Sequence, residues 1–162
     1  MVPTSTNQSI TPDARPIVAE LNQFVTRPDV LAGLRQAAAD AEKQLQQKPE
    51  LSVAVVALDP SQFGSTAPGA IGSMRVVLTR AGSGGRIERH SNSTQYLFAL
   101  DGSVETHVHS TDGLRVDRYG QGGSVDLEDR WHVVPPGTWH RSIARDAVVA
   151  FHSARQVIDE YQ

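Results

Sequence analysis

The stretch Gly82–Gly102, GSGGRIERHSNSTQYLFALDG, decides how the rest of the chain is read. Side chains alternate faces along a strand. A regular strand therefore puts Arg86, Glu88, His90 and Asn92 on one face, with Ile87 and Arg89 on the other. After a turn at Ser93-Thr94, Gln95, Leu97 and Ala99 share one face, opposite Tyr96, Phe98 and Leu100. The second of these sets is large and apolar and has to be covered. The polar set before the turn is either a metal-binding strand or a polar edge of a β-protein.

Outward from this stretch the texture is uniform. LSVAVVALD, SMRVVLTRA, GRIERHS, TQYLFALDG, SVETHVHS, GLRVDRYG, WHVVPPG, TWHRSIA and AVVAFHS are short and rich in β-branched and aromatic residues. Turn chemistry separates them at Asp59-Pro60, Gly82 to Gly85, Asp101-Gly102, Asp112-Gly113, Gly120 to Gly123 and Pro135-Pro136-Gly137. Many short strands at this spacing predict an antiparallel sandwich or barrel over residues 50–162. Upstream, residues 1–12 read as a flexible polar arm and 13–49 as a helical extension packed on the barrel. Its first segment is short, near Pro16 to Val25. The second starts at Pro28, a favoured first-turn residue, and runs to about Gln47. Leu31, Leu34, Ala38, Ala41 and Leu45 form its apolar stripe.

Composition narrows the function classes. A chain of 162 residues with 39% hydrophobic residues suits one folded domain. A net charge of −3 gives no reason to expect nucleic acid or an acidic membrane as partner. With no cysteine and six histidines, disulfides, thiolate catalysis and thiolate metal sites are excluded. The N-terminal stretch lacks the basic and apolar regions of a signal peptide, and no apolar run reaches membrane-spanning length, so the cytoplasm is the expected compartment. Gly82-Ser83-Gly84-Gly85 leads into a strand, not a helix, which argues against a nucleotide loop.

A second stretch, Trp131–Ser142, WHVVPPGTWHRS, places His140 just after a rigid Pro-Pro-Gly turn. Together the two stretches resemble the cupin motifs. Gly82, five residues, Glu88-x-His90, four residues, Gln95, six residues, Gly102 reproduces the spacing of the first; Pro135-x-Gly137, two residues, His140 reproduces the second. Glu88 stands where the family has its first histidine, Gln95 where it has a glutamate, and Asp129 where the second motif opens on glycine. An alternative register, Gly84, five residues, His90-x-Asn92, is also open, with a shorter gap to Gln95. The resemblance runs from Leu51 onward and implies a mainly β, cupin-type antiparallel β-barrel or jelly roll with an N-terminal helical extension.

By resemblance, Glu88, His90, Gln95 and His140 would hold one divalent metal. Two imidazoles, a carboxylate and an amide oxygen suit Fe(II), Mn(II), Ni(II) or Zn(II). The competing reading is a barrel without metal. Arg86, beside Glu88, is the candidate for a substrate carboxylate. His107 and His109 share a strand face expected to point outward; His132 and His152 read first as core histidines, with proton transfer in a pocket as the alternative. Two classes of function follow: a metal-dependent isomerase, lyase or dioxygenase acting on a small organic molecule, with no catalytic residue assigned, or a non-catalytic module that binds or senses a small ligand. Gln95 favours the redox-neutral enzyme, because cupins that ketonise unsaturated uronates look similar there. The apolar face of Tyr96, Phe98 and Leu100 is large for one modest helix to cover, which predicts a homodimer.

Overall fold

The computed structural model describes residues 7–120 and 124–162. Helices α1 (Arg15–Val25) and α2 (Pro28–Gln47) precede ten strands: β1 (Val53–Leu58), β2 (Ser73–Thr79), β3 (Glu88–His90), β4 (Gln95–Ala99), β5 (Val104–Ser110), β6 (Gly113–Tyr119), β7 (Trp131–Val134), β8 (His140–Ala144), β9 (Val148–His152) and β10 (Asp159–Tyr161). A 3₁₀ segment (Pro60–Thr66) and a one-turn helix α3 (Leu127–Arg130) fill two connections. Each segment read as a strand contains one. Of the turn read at Gly120 to Gly123, residues 121–123 lie outside the described residues, as do residues 1–6 of the N-terminal arm.

The strands form two antiparallel five-stranded sheets, ordered β1-β2-β9-β4-β7 and β10-β3-β8-β5-β6. This is the mainly β barrel that the strand pattern predicts. The motif glycines Gly82 and Gly102 have φ of 83° and 70°, a region where a Cβ is strained. A side chain at Gly102 would also collide with the Asp146 carboxylate.

Alternation along β4 sorts the two faces of the first sheet. Tyr96, Phe98 and Leu100 belong to an outer cluster with Trp131, Val149 and Phe151, which α1 and α2 cover through Val18, Leu21, Phe24, Val30 and Leu34. Phe24 stands edge-on to Phe63 and Phe151, with ring centroids 5.6 and 6.3 Å away. The face behind the homodimer expectation is therefore covered within one chain. On α2 the buried stripe is Val30, Leu34, Ala37, Ala41 and Leu45; Leu31 and Ala38 of the expected stripe are only half-buried. The helix is rotated slightly, because its partner surface is the β1–β2 corner as well as the sheet centre. Arg80 clamps its C-terminal end, donating to the carbonyls of Leu45 (2.6 Å) and Lys48 (3.1 Å), where a cation also meets the helix dipole.

From Asn7 on, the N-terminal segment is hydrogen-bonded to the body of the fold. The Asn7 amide donates to the carbonyls of Glu128 (2.5 Å) and Trp131 (2.6 Å), and Ile10 joins the outer cluster. Among the described residues no helix is long and apolar enough to cross a membrane.

An isolated helix of eleven residues is unstable in water, so burial of its stripe is what holds α1. Phe24→Ala should lower the unfolding free energy by about 3–5 kcal/mol, the usual range for deleting a buried ring. Urea titration measures this. A loss below about 1 kcal/mol would show that the helices unfold apart from the sheets.

Candidate functional site

The inner faces of the two sheets carry the chemistry. Gln95, directly opposite His152 on β9, points inward with Leu97 and Ala99. Glu88 on β3 lies opposite His140 on β8, and His90 lies opposite Asp159 on β10. Register thus brings side chains from five strands to one place. Glu88, His90 and His140 each offer a ligand atom, all within 4.8 Å of one another. His90 Nε2 lies 3.5 Å and His140 Nε2 3.7 Å from Glu88 Oε1. Two ligands held about 2.1 Å from a metal at tetrahedral or octahedral angles lie about 3.0–3.4 Å apart, so both imidazole–carboxylate gaps lie slightly above that range.

Both imidazoles are aimed by their other nitrogen. His140 Nδ1 donates to the Thr138 carbonyl at 2.9 Å, and His90 Nδ1 to Asp159 Oδ1 at 2.9 Å. That leaves each Nε2 with a lone pair pointing into the barrel. His140 is 1% exposed, and its Nε2 has no hydrogen-bond partner. A buried acceptor without a partner is costly unless something binds it. The Pro135-Pro136-Gly137 turn is fixed from below, because the Gly137 N–H donates to the His90 carbonyl at 2.9 Å. Turn and strand therefore set the two imidazoles relative to each other.

Gln95 is buried, with its Nε2 3.3 Å from His90 Nε2 and 3.5 Å from His152 Nε2, while its Oε1 has no partner. A half-turn of the amide exchanges the two atoms and presents the oxygen instead. Asn92 is placed elsewhere. β3 ends at His90, and the exposed Asn92 side chain donates to the Gln156 carbonyl (2.8 Å) and accepts from the Ile158 N–H (2.9 Å). The same-face reading for Asn92 fails because the chain turns immediately after His90. Arg86 is exposed at the wall of a cavity of about 240 Å³, its guanidinium stacked 4.0 Å above the Tyr161 ring. Glu88, Gln95 and His152 line the same cavity.

Asp159 escaped sequence reading, and His152, read first as a core histidine with a pocket role as the alternative, lies at the site. His152 is fully buried beside the site, its ring 4.8 Å from that of His90. Burial, reinforced by the charges of His90, Arg75 and His140, pushes its pKa down to about 2, so it stays neutral. Its only signal in the sequence is the two-residue alternation with Val148 and Ala150. Asp159 belongs to a three-residue strand at the end of the chain, too short to stand out. It accepts from His90 and from both terminal nitrogens of Arg75, at 3.2 Å each.

The remaining histidines divide. His107 and His109 lie on the outer face, opposite buried Val104, Thr106 and Val108; His107 meets Glu105 at 2.5 Å. His132 is fully buried against the Asp117 carboxylate at 2.8 Å. Burial lowers the His132 pKa despite that carboxylate. For Asp117, burial pushes upward, but hydrogen bonds from His132 and Arg115 prevail and hold it below the usual range. Burial likewise lowers His140, against the pull of Thr138 and Glu88.

No family model matches the sequence, and no curated protein is significantly similar to it. Solved structures are. The oxalate decarboxylase of Bacillus subtilis superposes with a TM-score of 0.52 at 14% identity, over 69% of this chain and 28% of that one. A recombinant oxalate oxidase in complex with glycolate gives 0.51 at 16%, over 68% and 55%. The fold is that of the cupins. Peruvianin-I, a cysteine peptidase from Thevetia peruviana latex, also matches, with a TM-score of 0.52 at 15% identity over 70% and 68%. This chain has no cysteine, and it spans under a third of the decarboxylase and about half of the oxidase. At such identities the likeness carries fold and not activity.

Burying His132, His140 and His152 in neutral form has a pH signature. Their folded pKa values lie below the roughly 6.5 of an unfolded histidine. As pH falls through about 6.5 the unfolded chain takes up protons that the folded chain refuses, so stability falls. The denaturation midpoint of metal-free protein should drop between pH 7 and 5, above the range where carboxylates titrate, and drop less in His152→Gln. An unchanged midpoint, or the same drop in the variant, would contradict this.

Proposed function

We propose that Glu88, His90, Gln95 and His140 hold one divalent metal ion, and that the protein is a redox-neutral isomerase or lyase acting on a small organic acid. One observation carries the metal: His140 Nε2, buried and without a partner, converges with His90 Nε2 on the Glu88 carboxylate. The donor set is mixed nitrogen and oxygen and suits Fe, Mn, Ni or Zn. The similar Bacillus subtilis decarboxylase contains Mn(II) centres, which supports a metal of this class.

Gln95 supports the redox-neutral reading, because cupins that ketonise unsaturated uronates look similar at that ligand place. Gln95 contributes a neutral amide, so Glu88 is the one anionic donor, and a divalent ion keeps a net positive charge. Such a site would polarise substrate oxygens. Bound there, the ion would supply Lewis acidity. The chain supplies the rest. Asp159 and the Thr138 carbonyl hold the imidazoles in the Nδ1–H tautomer. Arg86 orients a substrate carboxylate. His152, kept neutral by burial, faces the site as a hydrogen-bonding group. The apolar inner wall keeps water away from the reacting end.

Elemental analysis of untagged protein purified without added metal should find one ion per chain, and none in the folded His90→Ala/His140→Ala double variant. Asp159→Ala should weaken metal affinity about 10–100-fold in a chelator competition, the usual effect of removing a carboxylate behind a ligating histidine. Equal metal content in wild type and double variant would remove the basis for the proposal.

A further inference from the structure

The cavity has two unlike sides. Val53, Val55, Val77, Leu97, Val148 and Ala150 make one wall, drawn from β1, β2, β4 and β9. Those side chains offer no donor or acceptor, and β2, β9 and β4 are paired on both sides in their antiparallel ladders, while the edge strand β1 is paired with β2 alone. A ligand hydroxyl pressed against this wall would lose its water without gaining a partner. A methyl or methylene group there would be stabilised by burial.

The polar side is largely committed to internal bonds. Ser142 Oγ is bonded to Thr106 Oγ1 at 3.0 Å, and Thr79 Oγ1 accepts from the Ala144 N–H at 3.4 Å. Arg75 is engaged by both oxygens of Asp159. Arg86 has no carboxylate partner among the described residues. Its stacking on Tyr161 uses the face of the guanidinium and leaves the in-plane N–H fork available to a carboxylate. At about 240 Å³ the cavity falls below the roughly 300–1,000 Å³ of pockets that take drug-sized ligands.

From this we infer that the cavity takes a small aliphatic monocarboxylate, bound by Arg86 through its acid group, with its branched or linear hydrocarbon body on the valine wall and an oxygen-bearing carbon at the Glu88–Gln95 end. Rich hydroxylation, as in a sugar acid, finds few partners here. A ligand as small as oxalate leaves the wall unfilled. The inference rests on the proposed metal site for the position of the reacting end, and on the wall and Arg86 alone for the class of ligand.

Calorimetric titration of Zn(II)-loaded protein with 4-methyl-2-oxopentanoate, pyruvate and galacturonate tests it, with metal content measured on the same samples. The branched 2-oxo acid should bind tenfold or more tighter than either of the others. Arg86→Ala should weaken its binding at least tenfold, and Val148→Thr severalfold, with zinc content unchanged in both. Equal or tighter binding of pyruvate or galacturonate overturns the inference, as does absence of binding by the branched acid or indifference to Arg86→Ala. If zinc is not taken up, the metal reading fails, and the same ranking on the metal-free chain decides the ligand class independently.

Discussion

Two buried imidazoles, each with its Nδ1 already engaged, set the terms for the rest of this molecule. The Thr138 carbonyl holds His140 and the Asp159 carboxylate holds His90. Each hydrogen bond fixes a tautomer and a ring orientation, and together they aim two lone pairs at the Glu88 carboxylate. Keeping such groups dry, with His140 Nε2 unpartnered, is unfavourable, so the surrounding apolar burial has to exceed that cost. It is supplied largely on the other face of the same sheet. Trp131, Phe151, Phe98 and Tyr96 pack outward under α1 and α2, while Gln95 and His152, on the same strands, face inward. Strand alternation thus lets one sheet be a hydrophobic base and the wall of a polar site at once.

The C-terminal segment is part of that arrangement. Asp159 backs His90, and Tyr161 lies under Arg86 at the cavity wall. Gly72 makes room for its approach: a Cβ there would sit 2.5–2.8 Å from backbone atoms of Ala154 and Arg155. The Gly72 N–H also donates to the His152 carbonyl at 2.9 Å. Small residues in β2's lead-in therefore govern whether the chain end can reach the imidazole it orients.

Much of this was legible in the sequence, for identifiable reasons. The strands are short and strongly β-branched, and glycine or proline turns delimit them, so both their existence and the two faces of β4 follow from a period of two. The glycine, proline and histidine spacing points to Glu88, His90, Gln95 and His140, which the structure gathers around one point. What escaped depends on contacts between distant segments. Asp159 lies 69 residues from the imidazole it holds, in a strand of three residues with no pattern to detect. His152 sits at the end of an apolar strand and looks like a core residue until the register with Gln95 is known. Asn92 follows the alternation only if the strand continues, and a turn immediately after His90 ends it. The stripe on α2 shifted because the corner it packs against, formed by β1 and β2, cannot be placed from the helix's own sequence.

The Nε2 atoms of His90 and His140, the latter without a hydrogen-bond partner, are proposed to hold a cation beside Glu88. Anomalous scattering from crystals grown in Mn(II) tests it most directly. The account predicts one manganese peak per chain, about 2.0–2.4 Å from His90 Nε2, His140 Nε2 and a Glu88 carboxylate oxygen. A barrel interior without a peak at saturating manganese, or a peak confined to the outer His107–Glu105 pair, would contradict it.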